Sequence, residues 1–295
     1  SWLRVLDLKE IVVEIENSLD FLETSIHDMP ERHQSIRAVF DYSWQLLNKE
    51  EQTSMRKLAV FQGGFSREAA EEVTGTSLTL LASLIDKSFL SKVGNDRYRR
   101  HPLVIQYAHE KLTEYPEEKA QVEESHAIYF FTFIRRYLPK LRGLERKQSL
   151  ALIDLDLPNI KAAWAWAVKV RRVNEIKEIS IALSEALKNR NLEAVNLFEF
   201  AHSQLDENNP LHLPAIAYVL IFLGRHRAAI GKVSIKRALA HKGLALARQL
   251  DEKQGVIHGI LTIAELSVPP DCYEKQQALI DEGLVLARRH GTFAD

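Results

Sequence analysis

The residue types that could do chemistry converge at one point, RYRRHPLVIQYAHEKL, residues 97–112, where a basic strand runs into an amphipathic helix. His101 sits at that junction behind Arg97, Arg99 and Arg100. An imidazole there has several possible uses: general base, metal ligand, contact to a nucleic acid or to a nucleotide phosphate, or hydrogen-bonding filler. The arginines would add charge-assisted, forked bonds to phosphate. A base needs a nucleophile or a carboxylate at hand and a metal needs further ligands, and the surrounding sequence supplies neither.

The remaining candidates are scattered. GRHRAAIGKVS, Gly224–Ser234, imitates a phosphate loop, but six residues separate its first Gly from Gly-Lys and Val233 follows Lys232. A true loop needs four residues in between and a Ser or Thr for Mg²⁺, so the stretch reads as a turn between helices. G-x-S-x-G and H-E-x-x-H do not occur. His27 and His33 flank a linker. His126, His202 and His241 lie on helices without Cys or acidic partners at ligand spacing, which suits packing or surface roles. Cys272 follows Pro269-Pro270 and reads as a free structural thiol. We therefore expect no catalytic residue and no metal site.

The elements that must position these residues are mostly helices. A chain of 295 residues has room for two or three modules. Lys+Arg 39 against Asp+Glu 40 argues against a protein built mainly to neutralise phosphates. One cysteine excludes an internal disulfide framework and a Cys-rich zinc site. The first residues are not a signal peptide, and no apolar run approaches the ~18 residues of a membrane span. A cytoplasmic setting is expected. Without an initiator Met, and ending just after one helix of a repeat, the chain reads as a piece of a longer protein.

Residues 3–22 form one amphipathic stretch, followed by a linker around Pro30. A helix over Ser35–Leu47 places Ile36, Val39, Phe40, Trp44 and Leu47 on one stripe. Asn48 with Glu51 makes a capping box, opening a helix that carries Met55, Leu58 and Ala59. Gly63-Gly64 stops it, Ser66 caps REAAEEV, and SLTLLASLIDKSFL is a further helix. FLSKVGNDRYRRH has the marks of a hairpin turning at Gly94-Asn95-Asp96. Helices followed by such a hairpin are the winged-helix arrangement, closed by the helix after His101 with Val104, Ala108 and Leu112 in line. Beyond Pro116 only helices are expected. The stripes through Phe130 and Ile134, and through Ile160 and Trp164, read as core. ALAHKGLALAR, Ala238–Arg248, matches ALIDEGLVLAR, Ala278–Arg288, at an offset of 40 residues. That period means stacked helical hairpins of the tetratricopeptide kind. The fold class is thus mainly α: a winged helix with one small β-hairpin, then an α-helical solenoid.

A winged helix raises the question of DNA. Duplex reading needs basic and amide side chains on a helix facing the groove. SREAAEEV sets Arg67 against Glu68, Glu71 and Glu72, and the next helix offers only Asp86 and Lys87. Lys92, Arg97, Arg99 and Arg100 are confined to the wing, so DNA binding is not expected.

The order of landmarks EIVVEIENSLDFL, PERHQSIRAVFDYSWQLLNKEEQTSMRKLAVFQGGFSREAAEEVTG, LASLIDKSFL, RYRRHPLVIQYAHEKL and LDLPNIKAAWAWAV closely resembles bacterial STAND nucleotide-binding regulators, relatives of NB-ARC proteins. The resemblance implies four parts: residues 1–34 as the end of a helical subdomain plus linker, 35–112 as winged helix, 113–190 as helical linker and 191–295 as truncated repeats. In that family a Met-His-Asp-like motif reaches the β-phosphate of ADP. Here it matches Arg100, His101 and Pro102, so His101 takes the His position, with Arg99 and Arg100 beside the phosphate. Pro102 suits a first helical turn but cannot cap as Asp would. The phosphate loop and Mg²⁺-binding motif would lie upstream of Ser1, so the resemblance implies no cofactor and no enzymatic activity for this chain, with ATP or ADP and Mg²⁺ bound by the parent. Partners implied are the upstream nucleotide-binding module and a protein or small-molecule ligand on the repeats. A stand-alone interaction scaffold and a wing-dependent DNA-binding regulator are the other readings.

Overall fold

The computed structural model describes residues 36–94, 96–142, 144–230, 233–266 and 273–289. The amphipathic stretch at 3–22, His27, His33 and Cys272 lie outside the described residues. The chain divides into two compact units, the first ending at Phe130 and the second starting at Phe131. It is mainly α, with one small sheet and a helical solenoid after it. Among the described residues no helix is long and apolar enough to cross a membrane.

In the first unit α1 (Ile36–Gln45) sets the rings of Phe40 and Trp44 against Tyr107, with centroids 5.5 and 5.6 Å away. The apolar stripe is narrower than expected, because Val39 turns outward and is 44% exposed. Phe40 and Trp44 are enough to fill the face that Tyr107 offers. The Asn48 capping box forms as read: Oδ1 accepts from the Glu51 N–H at 2.9 Å, and Glu51 accepts from the Asn48 N–H at 2.7 Å. Two of the helix's four orphan donors are thereby satisfied. α2 (Lys49–Leu58) buries Met55 and Leu58 completely. Ser66 and Ser77 cap α3 (Arg67–Thr74) and α4 (Leu78–Asp86) by accepting from the N–H three residues on.

The hairpin strands are β2 (Ser91–Val93) and β3 (Arg97–Arg99). A third strand, β1 (Phe65–Ser66), joins them in the antiparallel order β1-β3-β2, with Phe65 opposite Tyr98. Two residues are too few to show a period of two, so this strand left no trace in the sequence pattern. Gly64 sits where the strands close: a Cβ there would come within 3.2 Å of the Tyr98 carbonyl oxygen. Phe61, Phe65 and Tyr98 stack in succession at 4.7 and 5.9 Å, all of them buried. α5 (Pro102–Thr113) buries Val104, Ala108 and Leu112, the expected line. α6 (Pro116–Tyr137) follows, its early part adding His126 and Phe130 to this core.

In the second unit α7 (Arg146–Val170) packs on α8 (Val173–Ala186), and Ile160, Ala163, Trp164, Ala167 and Val168 are fully buried. α9 (Asn191–Gln204), α10 (Leu213–Ala229), α11 (Val233–Gln249), α12 (Lys253–Leu266) and α13 (Tyr273–Arg289) continue the array. α10 touches α8 and α12 as well as its chain neighbours α9 and α11, so α8, α10 and α12 form one row. Every residue of α10 from Ala215 to Gly224 is buried. Gly224 therefore lies inside a helix and not in the turn expected of it; the helix ends only at Ala229.

The 40-residue repeat places ALAHKGLALAR on α11 and ALIDEGLVLAR on α13, with Ala247 and Ala287 both fully buried. The matched glycines differ in their surroundings. A Cβ on Gly243 would meet the Ala217 carbonyl oxygen at 2.7 Å and Ile221 at 2.8 Å, whereas one on Gly283 would first meet Ile260 Cγ2 at 3.2 Å. Gly243→Ala should therefore destabilise the chain by about 1–3 kcal/mol despite better helix propensity. Gly283→Ala should cost less than about 0.5 kcal/mol. Denaturant unfolding of the two variants checks this, and equal losses would refute the close approach of α11 to α10.

Candidate functional site

At the junction, β3 continues its alternation into the loop: Tyr98 in, Arg99 out, Arg100 in, His101 out. His101 is the N-cap of α5, with extended backbone, and its Nδ1 accepts from the Leu103 N–H at 3.3 Å. Pro102 occupies the first turn, where its missing N–H leaves nothing unsatisfied. His101 thus performs the capping that Pro102 cannot, which the sequence comparison did not foresee. Its imidazole and the Arg99 side chain are exposed.

Arg100 is not with them. It is 2% exposed, with Nη1 donating to the Leu58 carbonyl and Nη2 to the Phe61 carbonyl at 2.7 Å. Its guanidinium lies over the Phe65 ring at 5.3 Å. The partners are carbonyls at and just beyond the end of α2, where the helix macrodipole favours a cation. Burial pushes the Arg100 pKa down to about 9, so it stays charged at neutral pH. The expectation that Arg100 lines a phosphate is therefore corrected: the strand period sends it to the same side as Tyr98. Counting alternation through residues 97–101 would have found this.

The other cations of this unit are largely engaged. Arg97 Nη2 donates to the Gly64 carbonyl at 3.2 Å. Lys87 donates to both carboxylate oxygens of buried Glu51, at 2.9 and 2.7 Å, and Ser83 joins them. Hydrogen bonds from Lys87, Ser83 and Asn48 hold Glu51 below the ordinary carboxylate range, although burial acts in the opposite sense. Lys92 and Arg99 remain exposed on the hairpin.

The second unit brings together residues that the sequence reading passed over. Ser184 Oγ is 3.1 Å from His226 Nε2, and His226 Nδ1 is 2.8 Å from Asn191 Oδ1. The order hydroxyl, imidazole, orienting group is that of a nucleophile with its base. Ser184 is wholly buried and His226 is 1% exposed, stacked on Phe198, and Arg225 donates to the same Oγ at 3.2 Å. With the hydroxyl sealed in and already bonded twice, the arrangement works as a structural network. Burial, reinforced by the Arg225 charge and opposed by Glu185, lowers the His226 pKa to about 4.

Arg225 itself borders a cleft of about 110 Å³ on the α8–α10–α12 row, with Ile181, Phe222 and Leu261 among its apolar lining. Both Arg225 and His226 fall within the false phosphate loop; a helical period drawn through it would have placed them on a packed face. Of the other histidines, His126 is buried against Phe61 and Phe130, and His202 meets Glu207 at 3.0 Å. The latter pair is an acidic contact that the sequence reading had not supplied. Among the described residues no group of His, Cys, Asp and Glu is placed to hold a metal ion.

No family model matches the chain. Three mycobacterial proteins, one from Mycobacterium bovis and two from strains of Mycobacterium tuberculosis, each bear the name "Putative HTH-type transcriptional regulator" and are 29% identical over 184 residues. The matches cover 59% of this chain and 20% of each relative, so the chain spans about a fifth of their length. Among solved structures, a Signal Transduction ATPase with Numerous Domains (STAND) protein with a tetratricopeptide repeat sensor, from Pyrococcus horikoshii, is 17% identical with a TM-score of 0.32. That alignment covers 98% of this chain and 52% of the other.

Two outcomes follow for stability. Arg100→Met should cost about 2–4 kcal/mol by stripping two carbonyls of a charged donor, against under about 1 kcal/mol for His101→Ala; equal costs in denaturant unfolding would refute the inward role of Arg100. For His226 the folded pKa lies below the ordinary value of 6.5, so the unfolded chain binds more protons and stability falls as pH drops from 6.5 towards 4. The full loss is on the order of 3 kcal/mol. Melting curves of the native chain between pH 7 and 5 should show this slope, and His226→Gln should flatten it.

Proposed function

We propose that this chain is the regulatory and sensor part of a STAND-type signalling ATPase. The first unit serves as a winged helix that closes on ADP or ATP held by an upstream nucleotide-binding module. The second serves as a tetratricopeptide-like array that binds a protein or small-molecule ligand. Ligand binding shifts the population between a closed ADP state and an open ATP state, with transcriptional control as the output. Nucleotide and Mg²⁺ chemistry belong to the parent protein; the chain itself does not catalyse.

The observation that carries the reading is the position of His101. Its backbone is fixed by the start of α5 and its Nδ1 is used in the cap, while the ring stays exposed at the tip of a basic strand beside Arg99. An imidazole held at one nitrogen and open at the other is preorganised to donate to a phosphate oxygen. The likeness to named transcriptional regulators supports the output, and the row of packed helices supports the sensor role.

The test uses the protein extended upstream to include the nucleotide module. His101→Ala should weaken ADP retention by about tenfold, the loss of one charge-assisted bond, with melting temperature nearly unchanged. Arg99→Ala should weaken it less. Unaltered ADP affinity in a folded His101→Ala protein would sink the proposal.

A further inference from the structure

The cleft on the α8–α10–α12 row is a built pocket with an occupied charge at its rim. Ile181 and Leu261, with Phe222 between them, form its apolar wall, and Leu138 and Leu141 also line it. Arg225 stands at one end with 13% of its side chain exposed. Its Nη1 is tied inward, to Ser184 at 3.2 Å and Glu185 at 2.8 Å. The other edge of the guanidinium, Nε and Nη2, grips Glu265 in a side-on fork at 2.9 and 3.1 Å. Glu265 is half exposed and belongs to α12, so the fork is turned towards solvent and filled by a surface carboxylate.

We propose that this fork is the seat for the carboxylate of a small aliphatic acid, whose apolar body enters the cleft and which displaces Glu265 from Arg225. The proposal rests on reading the second unit as a ligand sensor and names the ligand class. Three observations favour an acid over an amine. The side-on fork of arginine matches a planar carboxylate. Both oxygens of Glu265 bind Arg225, and those of Glu185 are divided between Arg225 and Arg146 at 3.3 Å; a cationic ligand would have to enter against the charge of Arg225. Glu265 reaches Arg225 from the half-exposed side of the pair, so an acid that makes the same fork and also buries an apolar group in the cleft gains a term that Glu265 lacks. A volume of about 110 Å³ suits a branched chain of roughly five or six carbons. Because Glu265 lies on α12 and Glu185 on α8, exchange at Arg225 would release one helix of the row while the other stays fastened.

The experiment is calorimetric titration of the whole chain with 4-methylpentanoate, using 4-methylpentanamide as the uncharged control. The acid should bind and the amide should not. Glu265→Gln removes the internal competitor and should tighten binding about fivefold. Arg225→Lys, which keeps the charge and loses the fork, should weaken it about tenfold, with thermal melts confirming that both variants fold. Equal binding of acid and amide would overturn the proposal, as would no binding to folded Glu265→Gln or an unchanged affinity in that variant. ADP retention by His101 variants is read in a separate assay, so failure of the carboxylate site and failure of the nucleotide reading are distinguishable.

Discussion

The first unit depends on one buried cation. Arg100 lies under Phe65 and fastens the exit of β3 to the carbonyls of Leu58 and Phe61, at the end of α2. The sheet is only three short strands, too small to hold its own register by ladder bonds alone. A guanidinium that serves two carbonyls and an aromatic face at once supplies what the strands lack. The direction of the chain at residue 101 is then set. His101 can only emerge on the opposite side, at the head of α5, where its ring both caps the helix and remains open. A charge that looked available for a ligand instead holds the scaffold that presents the imidazole.

Much of this was legible in residue order because local rules and tertiary packing agree. Asn48 and Ser66 each announce a helix start, and each makes the cap its side chain allows. The hairpin around Gly94 follows from turn chemistry, and the buried stripes of α5 and α7 follow from the helical period. Where the reading missed, a longer-range term had taken over. β1 is held by its partner β3 and not by any pattern of its own. Val39 fits a helical stripe in sequence, but Phe40 and Trp44 already fill the space at Tyr107. Gly224 looked like a turn because glycine usually is one, yet the apolar run around it kept the helix going. The Ser184–His226–Asn191 network joins three helices, a relation that no local spacing can express.

The second unit shows how a repeat can be regular in sequence and uneven in packing. Gly243 and Gly283 are equivalent by the 40-residue offset, yet only the first sits against a backbone carbonyl. Polar links are uneven in the same way. Arg225 ties α8, α10 and α12 at one level, while Lys177 reaches Glu252 at 2.9 Å at another. These bridges set the relative positions of neighbouring helices more sharply than apolar contact, which is non-directional, can do alone.

The unbroken burial of α10 from Ala215 to Gly224 carries a further consequence. In an ideal solenoid each repeat meets only its neighbours, and the ends can fray while the middle survives. A helix sealed on every side, and touching four others, forbids such piecemeal melting at this point. Opening it exposes the faces of α8, α9, α11 and α12 together, so the array should lose structure as one cooperative block. Amide protons of α10 would exchange last and at nearly one rate, making this helix a keel to which the outer helices are fitted.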